Sequence, residues 1–265
     1  MKNMTTPAIN IENATVRIKG RVILDDINLT IERGSHRFIL GANGAGKTTL
    51  VKMLMGFTWP LYGATVEILG RRLGNYDLAL LRRQIAWVSP FFQQWTNNDS
   101  TALELVVSGV DGTLDLFRHP TPEETEKARK IMTDLRCAHL LNQPLCTMSS
   151  GEQIKILIAR AFMTDPQLLI LDEPSVYLDI TSREYLLHAV QELAMTRTDI
   201  TVIFITQRIE DIMPAFNEGM ILHSGKIVAE GTREEVITPE NLEQTFGMPI
   251  SFIRSKSNRF WPIID

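Results

Sequence analysis

The stretch "GANGAGKTT", Gly41 to Thr49, decides how this chain is read. It fits G-x-x-x-x-G-K-[ST], and each place in that pattern has a physical reason. Gly41, Gly44 and Gly46, with Ala42, Asn43 and Ala45 between them, let the backbone turn tightly, so that successive N–H groups point inward as an anion nest. A helix is expected to begin near Lys47, and its positive dipole end strengthens the attraction for phosphate. Lys47 can reach the β- and γ-phosphates of a nucleotide; the Thr48 hydroxyl completes the motif and can bind Mg²⁺, and Thr49, the next residue, is counted with the nucleotide-binding loop. The apolar "HRFIL" (His36 to Leu40) before the loop and "TTLVKMLMG" after it are the strand and helix that such a loop requires.

A loop of this type also needs a carboxylate to hold the metal through its water shell. "LLILDEP" supplies Asp172 at the end of an apolar strand. Glu173, one residue on, can orient or deprotonate the water that attacks the γ-phosphate. A third apolar strand, "TVIFIT" (Thr201 to Thr206), stops at Gln207. Unbroken apolar strands alternating with helical patterns indicate a parallel sheet covered on both faces, with ligands at the carboxyl ends of its strands.

The first third reads differently. "AINIENATVRI", "ILDDINLTI" and "ATVEILG" are short, alternating and separated by Gly, Asp or Asn, which predicts an antiparallel region. From about Thr96 to Met148 the pattern is helical. Thr121 is an N-cap, Pro122 stands at the first helical position and Glu124 completes a capping box. Ala128, Ile131, Met132 and Leu135 then fall on one face and are expected to pack. The expected fold class is α/β, a mostly parallel core with an antiparallel β subdomain and a helical insert.

Composition sets the outer bounds. With 265 residues, 44% hydrophobic and 22% charged, the chain can build one large domain, or one domain carrying a subdomain. A net charge of -4 implies no general affinity for polyanions, so nucleic acid is not an expected partner. Cys137 and Cys146 form neither a metal-ligand pattern nor a disulfide scaffold and read as the reduced thiols of a cytosolic protein. "MKNMTTPAIN" lacks the apolar core of a signal peptide. No run reaches the roughly 18 apolar residues of a membrane span, so any membrane role would pass through a partner.

Between the glycine loop and "LLILDEPSVYLD" lies "MSSGEQIKILIAR". With these motifs in this order, the chain resembles the ATPases of the ABC (ATP-binding cassette) family from about Ile9 to at least Phe246. "SSGEQ" and "REYLLHAV" point toward its molybdenum-transport-like branch. The resemblance implies a P-loop NTPase core binding ATP and Mg²⁺, an ABC ATPase domain over 8–250 with a helical subdomain at about 95–163, and a C-terminal tail at 251–265. The family's Leu-Ser-Gly-Gly-Gln signature falls on Met148, Ser149, Ser150, Gly151 and Glu152. In the family this segment completes the site of a second cassette, so two subunits clamping two ATP molecules are implied, as a symmetric homodimer. Glu152 places an acid near that nucleotide unless it caps its own helix, which is the preferred reading.

Further positions carry over residue by residue. "PSVYLD" matches the loop in which Asp179 would cross the dimer interface. The family's metal-sensing glutamine follows a strand like "IAWVS"; that slot holds Pro90, and Gln93 is assigned the role over Gln94 as a metal contact. The adenine-stacking aromatic is replaced by Ile18, with Ile23 as a further apolar contact. Gln207 takes the place of a histidine that contacts the γ-phosphate. Its amide can donate to phosphate and accept from water, but cannot carry positive charge or exchange a proton near neutral pH. Losing one good donor costs about 10²–10³ in rate, and a substituted donor less, so slow rather than absent hydrolysis is expected.

Transport is the expected role, with a transmembrane permease as partner and a cytoplasmic position at the inner face of the membrane. Phe91, Phe92 and Trp95 in "PFFQQWTNNDS" either mark a contact with that permease or pack internally. The alternative is a soluble regulatory or assembly ATPase using the same clamp. In the tail, Phe252, Phe260 and Trp261 are expected to dock on the cassette or on something else, and Arg254, Lys256 and Arg259 read as a solvated face.

Overall fold

A computed structural model describes residues 6–97 and 99–264. Met1–Thr5, Asn98 and Asp265 lie outside the described residues, as does the side chain of Gln94, the alternative metal-sensing glutamine. The chain divides into two compact units, Met1–Arg82 with Gln191–Asp265, and Arg83–Val190.

The first unit opens with β1 (Ile9–Ile18) and β2 (Arg21–Ile31), an antiparallel hairpin. Their buried residues skip a place: Ile9 and Ile11, then Ala14 and Val16, face Leu24, then Ile27, Leu29 and Ile31. Asn13 (φ 53) and Asp26 (φ 52) take the left-handed conformation at those skips. The register shifts there, which keeps both apolar sets on one face where strict alternation would have sent half of them to water. Next come β3 (His36–Leu40), α1 (Lys47–Leu54), β4 (Thr65–Ile68), β5 (Arg71–Arg72) and α2 (Leu78–Arg82). An antiparallel sheet in the order β2-β1-β4-β5 results, as the short alternating segments predicted.

The second unit holds β6 (Ile85–Val88), α3 (Ala102–Asp111), α4 (Pro122–Asp134), α5 (Ser150–Phe162) and β7 (Leu168–Asp172), with α6 (Ile180–Thr196) following. β6 and β7 pair in parallel, Ile85 to Leu168 through Val88 to Leu171. Gly109 on α3 permits a close approach, since a Cβ there would lie 2.4 Å from the Arg160 carbonyl oxygen on α5. Arg160 in turn donates from Nε to the Thr113 carbonyl at 3.0 Å, and burial pulls its guanidinium down to about 10. On α4, Ala128 and Met132 are buried and Ile131 half-buried, while Leu135 closes the helix as its C-cap.

The chain returns to the first unit with β8 (Thr201–Thr206), β9 (Glu218–His223), β10 (Lys226–Thr232), α7 (Arg233–Val236), α8 (Pro239–Phe246), β11 (Ser251–Arg254) and β12 (Phe260–Ile263). β3 pairs in parallel with β8 on one side and β9 on the other, and β10 adds antiparallel to β9. Phe38, Phe204 and Phe216 are fully buried at this sheet, with the rings of the latter two 5.3 Å apart. The expected parallel strands at His36, Leu168 and Thr201 are all present.

The start of α4 is held by charge. Glu124 Oε2 accepts the Thr121 N–H at 2.9 Å, and Arg118 donates to both oxygens of Glu124 at 2.7 Å while also reaching Asp111. The Arg118 contacts, then the Thr121 N–H, hold the carboxyl at about 2, against an ordinary 4.5. A lowered folded value stabilises above the unfolded carboxylate range and is lost as pH falls toward that lower value. Glu124→Gln is therefore expected to flatten the loss of urea stability between pH 4.5 and about 2. Thr121→Ala is expected to cost about 1 kcal/mol at pH 7.

Candidate active site

In the first unit the glycine loop is built against backbone on two sides. β3 and β8 end in register, Leu40 opposite Thr206, and the Gly41 N–H donates to the Thr206 carbonyl at 3.3 Å. On the other flank, a Cβ at Gly41 would sit 2.4 Å from the Leu222 carbonyl oxygen of β9, a place no side chain can occupy. Gly44 (φ 81) and Gly46 (φ 107) supply the left-handed turns, and Gly46 is the N-cap of α1. Lys47 is buried, its Nζ donating to the carbonyls of Gly41 at 2.7 Å and Ala42 at 2.8 Å. Asn43 and Thr48 are exposed, Ala42 and Thr49 half-buried, and Ala45 buried. Loop amides converge at a helix N-terminus with an ammonium folded over them, which suits a polyphosphate.

The same strand ends place Gln207 beside the loop, half-buried and immediately after Thr206. The Arg208 N–H donates to Thr206 Oγ1 at 3.0 Å, closing a small turn with Gln207 at its apex. Ile23 belongs to this group: its carbonyl lies 3.1 Å from the place of a Gly46 Cβ, and its side chain is half-buried. Ile18 sits at the exposed end of the β1–β2 hairpin, paired with Arg21.

Sequence reading missed a buttress. Gly225 (φ 80), in the turn between β9 and β10, donates its N–H to the Ala45 carbonyl at 2.9 Å, and its carbonyl accepts from Asp25 at 2.8 Å. It fastens the phosphate loop to β2. The available signal was "HSGK" after an apolar run, a hairpin turn whose glycine the loop also requires.

In the second unit every residue of β7 is buried, ending in Asp172. Glu173 follows at φ 51, a left-handed conformation costing a non-glycine residue about 1–2 kcal/mol. Strain of this kind collects where a side chain must be aimed.

The signature segment forms a capped helix start. Ser149 is the N-cap of α5; its N–H and Oγ donate to Glu152 Oε2 at 2.8 and 2.7 Å, and the Glu152 N–H returns a bond to Ser149 Oγ. Glu152 thus caps its own helix, as expected, and those Ser149 bonds hold its carboxyl below the ordinary range. Gly151 packs on α6, with a Cβ there 3.0 Å from Ser182 Cβ. Ser182 donates from N and Oγ to Asp179 at 2.9 Å each, lowering that carboxyl's pKa in turn. Gln93 lies on a short 3₁₀ helix, Pro90–Trp95, and donates from Nε2 to the Ser150 carbonyl at 3.1 Å. Gln93, Ser149 to Glu152 and Asp179 therefore form one connected patch. The aromatic trio divides. Phe92 stands edge-on to Trp87 at 5.0 Å, whereas Phe91 and Trp95 are exposed and paired at 5.9 Å.

The tail corrects an expectation. Arg259 is buried, not solvated, whereas Arg254 and Lys256 are exposed as expected, Arg254 ion-paired with Glu234. β11 and β12 form a hairpin, which sets Arg254 opposite Phe260 and Ile253 opposite Trp261.

A glycine loop between a parallel strand and a helix, beside the polar end of the next strand, defines a P-loop nucleotide-binding protein. The family pattern described as "ABC transporter" matches residues 24–176, and the chain belongs to that family. A Streptococcus mutans protein described as an ABC transporter ATP-binding protein is 33% identical over 253 residues, covering 96% of this chain and 97% of its own. The manganese transport system ATP-binding protein MntB of Bacillus subtilis is 27% identical over 248 residues, covering 94% and 96%. A solved chain from an inward-facing transporter described as metal-chelate type superposes with a TM-score of 0.80 at 24% identity, covering 98% and 99%, which shows the fold. The protein is an ATP-binding cassette subunit that hydrolyses ATP to power transport, the role favoured over soluble regulation. Cassettes of this family dimerise and work with transmembrane permeases. Among the described residues no helix is long and apolar enough to cross a membrane.

The close carbonyl at Gly41 separates two glycine roles. Gly41→Ala forces the loop off β9, and about 1–3 kcal/mol of strain is expected to weaken ATP binding about 10- to 100-fold. A Cβ at Gly44 meets nothing within 4 Å, so Gly44→Ala carries only its backbone strain. Calorimetric titration with ATP checks the pair, and equal losses would count against close approach as the cause.

Proposed function

We propose that two copies of this chain close around two Mg-ATP, each copy's phosphate loop facing the other's signature segment, and that Gln207 makes hydrolysis slow. The observation that carries this is the register of β3 with β8, which sets Gln207 next to the loop. Loop amides and Lys47 bind the β- and γ-phosphates. Thr48 and Asp172 are the residues that would hold Mg²⁺, with Gln93 as the metal-sensing side chain; a hydroxyl and one carboxylate suit an ion that keeps most of its water. Bound there, Mg²⁺ neutralises charge on the phosphate oxygens. Glu173 orients the attacking water and takes its proton. Gln207 donates an amide hydrogen to the γ-phosphate without charge of its own. Ile18 and Ile23 give the adenine apolar contact.

From the partner copy, the Ser149 hydroxyl and the N–H groups of Ser150 and Gly151 would meet the γ-phosphate, and Asp179 would cross the interface. Support comes from the start of α5, where Ser149 and Ser150 are exposed and the Glu152 carboxylate is engaged by its own helix; to donate to phosphate, the Ser149 hydroxyl would turn its one proton away from Glu152. The exposed Phe91 and Trp95 support a permease as neighbour, and with that partner the subunit would sit at the cytoplasmic face of the membrane.

Two substitutions test this. Gln207→His restores a group that can carry charge and is expected to raise turnover at saturating Mg-ATP about 3- to 30-fold, part of the 10²–10³ a full donor supplies. No increase would remove this role for Gln207. Glu173→Gln is expected to retain ATP and elute as a dimer on size exclusion with Mg-ATP, and as a monomer without it. A monomer under both conditions would rule out the two-copy clamp.

A further inference from the structure

We propose that the C-terminal hairpin holds the Gln207 turn in place, with Arg259 as the positioning residue. Arg259 is 4% exposed, and burying a guanidinium is costly unless its donors are met. Its Nε and Nη2 both donate to the Glu210 carbonyl, at 3.0 and 2.5 Å, and the group lies 5.1 Å over the Trp261 ring. Its own N–H donates to Ser255 Oγ at 3.1 Å, fixing the base of the side chain.

Glu210 sits in the 3₁₀ turn Ile209–Asp211, three residues after Gln207. That turn is weakly closed from within, by Asp211 N–H to the Arg208 carbonyl at 3.3 Å and Ile212 N–H to the Ile209 carbonyl at 3.2 Å. A single 3₁₀ turn of this kind frays readily. Ties on this segment include Gly41 to Thr206, Thr206 Oγ1 to Arg208, and Arg259 to Glu210. The tie at Glu210 comes from the hairpin.

The hairpin has its own anchor. Phe260 is buried, with the guanidiniums of Arg233 and Arg254 each 5.2 Å from its ring, and Glu234 pairs with both arginines. Fixed at α7, β12 can hold the turn after Gln207 to the geometry its amide needs. Arg259 touches no phosphate; it acts through backbone.

The proposal rests on the γ-phosphate role of Gln207, and the test separates the two. Arg259→Ala, Arg259→Lys, Gln207→Ala and the Gln207→Ala/Arg259→Ala double variant are compared for kcat and KM with Mg-ATP, and for amide exchange over residues 208–212. Arg259→Ala is expected to lower kcat about fivefold with KM unchanged, a small part of the 10²–10³ attached to a whole donor. Lysine, which keeps one donor nitrogen in place of two, should fall between, and exchange over 208–212 should rise in the same order. In the Gln207→Ala background the Arg259 change should alter kcat by less than about twofold, because coupled residues do not add. Full kcat in Arg259→Ala beside a loss in Gln207→Ala overturns the positioning role, as do losses that multiply in the double variant. An unaffected kcat in Gln207→Ala instead overturns the γ-phosphate reading and this inference with it. If the alanine variant fails to fold, the lysine variant alone carries the comparison.

Discussion

At position 41 the backbone leaves no room for a side chain. The Leu222 carbonyl oxygen occupies a point 2.4 Å from where a Cβ would stand, and on the opposite side the Gly41 N–H reaches the Thr206 carbonyl. That double approach requires β8 and β9 to flank β3 in parallel, in the register that brings Leu40 level with both Thr206 and Ile221. Once it holds, the loop has to turn within the next few residues, and the left-handed Gly44 and Gly46 make the turn possible. α1 then starts with its amides facing the loop and Lys47 folded across it. The same register fixes the neighbour: whatever follows Thr206 lies beside the loop. Gln207 is at the site because of strand alignment, whatever contacts its own side chain makes.

Each unit carries a partial set of chemical groups. The first has the amide nest, the ammonium and the Gln207 amide; the second has Asp172, Glu173 and the capped signature helix. Different physics positions each set. In the first unit the close approach of main chain does the work, with glycine at the contacts. In the second, helix-start chemistry does. Ser149 with Glu152 and Asp179 with Ser182 are cap interactions between neighbours in sequence, and Gly151 joins the two caps by packing on Ser182. Gln93 adds a tie from the end of β6 to the Ser150 carbonyl. Movement of the signature helix start would then be felt at both Asp179 and Gln93.

Much of this was legible in the sequence because it is local. The glycine loop, the strand before it, the helix after it and the Thr121 and Ser149 caps all depend on residues within a few places of one another, and periodicity and cap chemistry carry that information. The polar stops at Asp172 and Gln207 were visible for a similar reason, since an apolar strand announces its end. What stayed hidden was pairing at a distance. Gly225 looked like an ordinary hairpin glycine; its bond to Ala45 joins residues far apart in the chain. The bulges at Asn13 and Asp26 were hidden too, because a skipped place blurs the alternation used to find strands.

Arg259 shows why a charged residue near the end of a chain is easily misread. Taken in order, Arg254, Lys256 and Arg259 are cations among small polar residues, and the ordinary fate of such a run is solvation. Pairing of β11 with β12 breaks the run apart: Arg254 is set opposite Phe260, while Arg259 turns inward to a backbone carbonyl. A buried guanidinium meeting a carbonyl loses much of its hydration and regains it only through bonds of good geometry. Apolar residues could anchor a tail with less desolvation, as Phe260 does. What Arg259 adds is directional hold on one peptide group, and that group belongs to the turn that follows Gln207. Hydrophobic contact would supply no such direction.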